Sequence, residues 1–448
     1  MKHMLRLIAL LTALALVAAA CGGGDGDDTT TTEGEAADTT EAADTTTTEA
    51  EEETTTTAEP PMEMVPVDVK VGTLLPQTGT LAGIIDALEK PIEMAVEEIN
   101  AAGGSVELVK SDSGTSPDVA TVNVDQLLNE EVDLIIGAAA SGVSLSVIDK
   151  ITGSQVAQCS PSNTAAAFSD YDDGGFYFRT APSDVLQGPL LADIVISDGF
   201  VDVAVVYRND EYGAGFADLV EQTLTDSGGN VVASVAYDPE ATSFDAEVAQ
   251  VVDAAPEAVV VISFGEGAAL MQAMIEAGAG PADLQIYVTD GFKDSVEALD
   301  NPDNETPGVS ADDPAVLEGV KGTAPSASPE NGEATFPDRF AAFAPEAPSI
   351  FSAQAYDCLV TAVLAAEVAG SADGIAAEMN GVTKDGTKCT TYSECHALIA
   401  EGEDIDYDGA SGPLEFTDVG EPGVGTYDFY VYDAEGTPVV EDQLVAGS

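Results

Sequence analysis

Along residues 67–290 the apolar positions switch repeatedly between two periods. The run VDVKVGTLL from Val67 is rich in β-branched residues and reads as a strand. After a Gly-rich loop, KPIEMAVEEINAAGG places Ile92, Ala95, Val96 and Ile99 at helical spacing, and Gly103 and Gly104 end the helix. SVELVKSD, DVATVNVDQLLNE, VDLIIGA and SGVSLSVIDKI then repeat strand, helix, strand, helix. A second series opens near residue 184 with the helical DVLQGPLLADIVISDGF, followed by strand DVAVVYRND and helix YGAGFADLVEQTLTDSGG. Strands NVVASVAY, AVVVISF and LQIYVTD come next, separated by helical stretches. Such alternation predicts parallel sheets covered by helices on both faces. Two series in one chain predict an α/β protein of two doubly wound lobes, with a cleft beyond the carboxyl ends of the strands.

The first 65 residues follow neither period. Lys2 and Arg6 precede a continuous apolar run to Ala20 that is short for a membrane span and ends in small residues, as an export signal does. Cys21 directly follows Ala18-Ala19-Ala20, which resembles the lipobox of bacterial lipoproteins, although Ala18 stands where Leu is commonest. A lipidated Cys21 would carry two acyl chains, enough at about 0.8 kcal/mol per buried CH₂ for stable anchoring. The Ala-x-Ala sequence also suits ordinary signal peptidase, which leaves simple secretion open. Residues 22–63 are almost wholly Gly, Asp, Glu, Ala and runs of Thr, and no basic residue appears in them. Such a segment cannot repay its ordering entropy and reads as a disordered spacer of roughly 35 Å, with Thr runs that can carry sugars. The expected division is a signal over 1–20, then the lipidated cysteine and linker over 21–65.

Charge narrows the function. The 448-residue chain has 81 acidic and 13 basic residues, a net charge of −68, which repels phosphate backbones and excludes nucleic acid as a partner. Its only histidines are His3, inside the export signal, and His396, so Ser-His or Cys-His catalysis and multi-His metal sites have no material. No G-x-S-x-G, P-loop or H-E-x-x-H motif occurs, and GEGAAL at 265–270 puts Leu270 where a dinucleotide fingerprint needs Gly. No enzyme activity, cofactor or metal is expected.

The ordered blocks VGTLLPQTG, AVEEINAAGG, LIIGAAASGVSLSV, SPSNTA, FYFRTAPSDVLQG, YRNDEYGAGFADL, VTDG, AYDCLVTAVLAAE and YDGASGPLEF resemble one family. It is the type I periplasmic binding proteins of the branched-chain amino acid (Leu/Ile/Val) group, the extracytoplasmic receptors of ABC importers. The resemblance runs from about Val67 to the C-terminus. It implies three crossings between lobes, near 181–184, 322–326 and 415–422, and closure about that hinge. Lobe I would then be 66–182 with 325–416, and lobe II 183–324 with 417–448. It also implies a monomer, lipid-anchored outside the cell membrane, that hands a small amino acid to an ABC permease and its ATPase. A ligand-sensing receptor of the same fold, for an amide or small carboxylate, is the alternative.

A free amino acid brings a carboxylate and an ammonium, and both need partners once a cleft closes. Ser141, read as the N-cap between VDLIIGA and its helix, offers a hydroxyl beside free amides. Ser162 and Thr164 in SPSNT repeat that arrangement after the next strand. In similar receptors these positions hold the ligand carboxylate, and the backbone beside Ser162 helps hold the ammonium. Otherwise Ser141 and Thr164 merely cap their own helices. Asp290, at the end of strand IYVTD, matches the acidic partner of the ammonium, Tyr212 matches an aromatic lining the cleft, and Glu266 is a second candidate anion. Where the family shows tyrosines this chain has Ser263 and Phe264, and Leu81 to Ile84 is aliphatic where an aromatic packs on ligand, so the side-chain subsite is reshaped.

Four cysteines besides Cys21 read as two disulfides in an exported chain. Cys389 and Cys395 are near enough to clip a local loop, which leaves Cys159 for Cys358. Zinc at Cys389, Cys395 and His396 is disfavoured because adjacent Cys and His chelate awkwardly. DIDYDGASGPLE at 404–415 matches the calcium-loop pattern at Asp404, Asp406, Asp408, Gly409 and Glu415. Ser411 and Pro413 sit poorly in such a loop, and FTDVGEPGVGTYDFYVYD after it reads as turn and strand, so the match is expected to be coincidence.

Overall fold

The computed structural model describes residues 66–293 and 314–447; the export signal, Cys21 and the spacer lie outside the described residues. Strands β1 (Asp68–Leu75) and β3 (Leu134–Gly137) are buried along most of their length, which is why they read as apolar runs. β4 (Ala157–Ser160) is buried but half polar, because Gln158 Nε2 donates to Gly137 O (2.8 Å) and Ser160 Oγ to Ala138 O (2.8 Å). With β2 (Ser105–Asp112) and β5 (Tyr177–Arg179) they make a parallel sheet in the order β2-β1-β3-β4-β5. Helices α1 (Ile85–Ala102), α2 (Pro117–Asn129) and α3 (Ser141–Thr152) connect its strands.

α4 (Asp184–Ser197) leads into the second sheet, where β6 (Asp202–Arg208), β7 (Asn230–Tyr237), β8 (Ala258–Ile262) and β9 (Gln285–Val288) alternate with α5 (Glu211–Asp226), α6 (Asp245–Ala254) and α7 (Gly267–Glu276). Its order is β7-β6-β8-β9-β10-β14-β15, with β10 at Lys321–Pro325, β14 at Val424–Tyr432 and β15 at Pro438–Gly447. Both sheets reverse their winding beside the first strand, between β1 and β3 and between β6 and β8, the place where such folds bind ligands. The second sheet is not wholly parallel: β14 runs antiparallel to β10 and β15 antiparallel to β14. The alternating pattern stops before residue 300, so this C-terminal hairpin is an addition that the alternation does not predict.

Lobe I is finished by chain that has already passed through lobe II. Helix Ser352–Ala369 packs on α1 and is buried almost all round, which accounts for its apolar, non-amphipathic sequence. Cys358 on this helix meets Cys159 on β4 (S–S 1.97 Å), and Cys389 meets Cys395 (2.10 Å) beside a small sheet of β11 (Thr387–Cys389), β12 (Ile405–Gly409) and β13 (Gly412–Pro413).

The calcium-like stretch is the β12–β13 hairpin, and it is organised by an internal carboxylate. Asp357, fully buried, accepts from Tyr407 OH (2.7 Å), Ala410 N (2.9 Å), Ser411 N (2.8 Å) and Ser411 Oγ (2.5 Å). A Cβ at position 409 would lie 2.4 Å from Asp357 Oδ1, so Gly409 answers to that carboxylate. Asp406, Asp408 and Glu415 do converge, but around the Lys388 ammonium at 3.0, 2.9 and 3.7 Å, and Asp404 stays outside the group.

The Cys159–Cys358 link closes a span of 199 residues. Replacing both cysteines by Ala is expected to cost about 2–4 kcal/mol and lower the midpoint of thermal unfolding by roughly 3–5 °C. A drop of under about 2 °C in calorimetry would show that the link contributes little.

Candidate functional site

The lobe I wall starts at Gly137, whose φ is +123° and whose Cβ would lie 2.2 Å from Leu74 O, so only glycine lets β3 leave the sheet there. Ala140 is the N-cap of α3 and Ser141 its first helical residue, so the helix starts one residue earlier than expected. The first amides of the helix therefore have no intrahelical acceptor, and Ser141 Oγ, not spent on a cap, accepts from Ala165 N at 3.4 Å. Beside it the 160–165 turn is held by Asn163, which donates to Ala138 O (3.1 Å) and Ala139 O (2.8 Å) and accepts from Tyr177 OH (2.9 Å). Ser162 Oγ donates to Ala139 O (3.2 Å). No α-helix follows this turn directly; a 3-10 helix at Ala166–Asp170 is capped by Ala165 without a side-chain bond. Neither Ser141 nor Thr164 acts as a helix cap.

Arg179 anchors that turn from behind. It is fully buried, and Nη1 donates to Asn163 O (3.1 Å) and Ala165 O (2.9 Å). Nε and Nη2 hold the Glu421 carboxylate on the third crossing, with Nε at 2.8 Å.

The lobe II wall carries an aromatic stack. Tyr212, near the start of α5, lies parallel to Phe264 with centroids 5.2 Å apart, and the Arg208 guanidinium sits 3.6 Å from the Phe264 centroid. Arg208 pairs with Asp210 (2.6 Å) and Glu266 (2.7 Å), and Glu266 Oε1 also accepts from Tyr237 OH and Phe264 N. The charge of Glu266 is thus answered inside its own lobe, and it stands with Phe264 behind Tyr212. Asp290, 6% exposed, accepts from Gln187 Nε2 (3.1 Å) and has Tyr212 OH at 3.1 Å.

One residue escaped the sequence reading. Asp184 is fully buried at the first crossing, and its carboxyl oxygens have no partner of good hydrogen-bond geometry, only the Thr164 hydroxyl nearby. Its backbone N–H donates to Thr164 O at 2.7 Å, and the Thr164 hydroxyl lies beside its carboxyl. Burial, and then the negative charge of Asp290, push the Asp184 carboxyl well above its ordinary range; burial raises Asp290 to about 6. Arg179 and Lys293 are near enough to lower these two carboxyls somewhat, less than burial raises them, but each is paired with another acid: Arg179 with Glu421, and Lys293 with Asp428 at 3.5 Å. The only sequence signal was DVLQ at a helix start, where Asp is common for its own sake; the i, i+3 spacing of Asp184 and Gln187 puts both on one face.

The lobes are closed on each other: α5 packs against α3 and the 3-10 helix, and Gly265 stands close under Thr80 O. Ser141, Thr164, Asp184, Tyr212 and Asp290 are all buried in this arrangement, with Ser162 half-buried at the turn. The arrangement offers hydroxyls and free amides on one side and an uncompensated pair of carboxyls on the other. No histidine stands among these residues.

Residues 68–437 match the family model described as periplasmic binding protein. The chain is 28% identical over 264 residues to a Leu/Ile/Val-binding protein homologue of Brucella melitensis, covering 52% of this chain and 69% of that protein. It is 26% identical over 376 residues to the chemotactic signal transduction system substrate-binding protein BasB of Halobacterium salinarum, covering 80% and 85%. Among solved structures it is similar to the branched-chain amino acid transporter substrate-binding protein LivJ of Streptococcus pneumoniae in complex with isoleucine (TM-score 0.67, 22% identity, 85% and 100% covered). A solute-binding protein of an ABC transporter from R. palustris in complex with benzoate is as similar in fold (TM-score 0.68, 19% identity, 85% and 97% covered). With residues 68–437 matching its model, the chain belongs to the periplasmic binding protein family.

Proposed function

We propose that the protein binds a neutral, zwitterionic amino acid in the closed cleft and delivers it to an ABC permease and its ATPase. The observation that carries this reading is the buried Asp184–Asp290 pair without a cation. An aromatic carboxylate such as benzoate would bring no positive charge and leave both carboxyls uncompensated; an α-ammonium answers them, with Tyr212 beside it. Ser141, Ser162, Thr164 and the free amides of α3 then take the ligand carboxylate. The aliphatic stretch from Leu81 and the Tyr212–Phe264 stack suit a short apolar side chain. A second reading draws on the likeness to BasB: the same capture feeding a chemotactic partner instead of a permease. The body works outside the cell membrane as a monomer, tethered through a lipid on Cys21 and the acidic spacer.

Three measurements test this. Isothermal titration of the mature protein is expected to show one-site binding of isoleucine, leucine or valine and none of benzoate. Asp290→Asn should weaken that binding about tenfold to a hundredfold, the loss of a charged hydrogen bond; unchanged affinity removes Asp290 from the site.

Ammonium capture needs an ionised Asp290, which burial holds at about 6, so affinity should fall as pH drops from about 7 to about 5 and level off above. The empty protein should move the other way. A carboxyl raised from 3.8 to about 6 contributes stability that is full below 3.8 and lost as pH rises through about 6. A flat affinity profile over that window would contradict the assignment.

Cys21→Ala should release the protein from membranes into the medium in fractionation. Retention at the membrane would rule out the lipid anchor.

A further inference from the structure

Asp290 does not stand free in the cleft wall. Gln187, one turn along α4 from Asp184, is fully buried beside it. Its Nε2 donates to Asp290 Oδ1 at 3.1 Å and to Thr323 O at 3.0 Å, with Thr323 Oγ1 at 3.3 Å. One amide thus joins the start of α4, the residue after β9 and the strand β10. These three belong to one body, because β9 and β10 are neighbours in the second sheet and α4 packs on α5, β10, β14 and β15. The hold on Asp290 therefore does not need the lobes to be closed.

The chemistry of the amide tells what it is for. Nε2 faces a carboxylate oxygen and a carbonyl oxygen; the flipped amide would set its own oxygen against both, so the orientation is fixed. That orientation leaves Gln187 Oε1 buried with no hydrogen-bond partner, which is costly. A methionine has nearly the same length and would fill the space without stranding a polar atom. Packing alone therefore does not account for an amide at this position, whereas its donors do. Tyr212 cannot supply the hold by itself. Its single hydroxyl hydrogen is contested by Thr289 Oγ1 at 2.8 Å, nearer than Asp290 Oδ1 at 3.1 Å. The backbone beside Gln187 is also fixed: a Cβ at Gly188 would lie 2.8 Å from Leu219 Cβ, so α4 sits close on α5, the helix that carries Tyr212.

We propose that Gln187 is a positioning residue of the cleft, whose amide holds the Asp290 carboxylate in place for the ammonium ion of a ligand and favours its charged form. This rests on the amino-acid reading of the cleft. The hydrogen bond from Gln187 works against burial, which raises Asp290 to about 6. The ionisable groups that act on Asp290 are Tyr212 on α5, Lys293 beyond it in the chain, Asp184 on α4 and Tyr427 on β14. Gln187 carries no charge of its own, so it favours the carboxylate without neutralising it, and the charge stays available to a ligand.

The test compares wild-type mature protein with Gln187→Met, which keeps the length and removes the donors, and with Gln187→Glu, which keeps the shape and puts an acid in place of the amide. Asp290 is titrated in the ligand-free proteins by carboxyl carbon NMR, its signal assigned by its loss in Asp290→Asn. The midpoint is expected about one pH unit higher in Gln187→Met than in wild type, and higher again in Gln187→Glu. Either variant carries the test if the other fails to fold. Isoleucine is then titrated calorimetrically at about pH 8 and about pH 6. Gln187→Met should lose affinity severalfold at about pH 8, where Asp290 is charged in both proteins. The loss should be about fivefold greater near pH 6, close to the wild-type midpoint of about 6. A midpoint unmoved in both variants overturns the proposal. So does an affinity loss of equal size at the two pH values, which is what a purely structural role would produce. If wild-type protein binds no isoleucine, the amino-acid reading falls, and the Asp290 midpoint in the variants still decides whether Gln187 holds that carboxylate.

Discussion

Two carboxyls held in a dry space cannot both be ionised readily without a cation, and the proposed site is built around that constraint. Asp184 and Asp290 are buried together while every nearby guanidinium or ammonium is committed to another acid. Desolvation and mutual repulsion make the empty closed form take up protons that the open form, with both groups in water, would give up. On the proposed reading, the ligand's ammonium removes that penalty, so closure and recognition become one equilibrium. A ligand without a positive charge lacks this contribution however well its shape fits.

Keeping the neighbouring cations occupied is as much a part of the site as the carboxyls. Arg179 could neutralise Asp184 if it were free. Glu421 and the carbonyls of the 160–165 turn hold it instead, so one guanidinium fixes the turn and spares the acid. The same pair ties a cleft wall to the third crossing. Breaking a buried pair of this kind typically costs about 3–5 kcal/mol, because the surviving charge is stranded. Arg208 plays the parallel part in lobe II, where it absorbs Glu266 and backs the Tyr212–Phe264 stack.

Much of the fold was legible because parallel strands buried on both faces leave unmistakable runs, and helices between them keep their period. SVELVKSD became β2 with both ends as read, and the β6–β9 series followed its pattern. The C-terminal hairpin was less visible, since the alternation had ended and its partner strand β10 lies far back in sequence. Of the residues proposed for the site, Ser141, Thr164, Tyr212 and Asp290 were read from their places near strand ends. Asp184 was hidden because an acidic residue in a first helical turn is unremarkable, and only burial without a partner singles it out. The calcium-like pattern, read as coincidence, hides its cause for a related reason: a glycine amid aspartates says nothing of what crowds it. Here that neighbour is Asp357, some fifty residues earlier in the chain.

The order in which the chain passes between lobes has a consequence for how the protein is made. A chain emerging N-terminus first presents the strands of the first sheet early, yet the helix Ser352–Ala369 that covers them, and Cys358 on it, arrive only after nearly the whole second sheet. Lobe II meets a similar delay, since β14 and β15 come last of all. Neither lobe can complete its core on an unfinished chain. The apolar faces of β1, β3 and β4 must therefore stay soluble for most of synthesis, a demand that a densely acidic chain is suited to meet through self-repulsion.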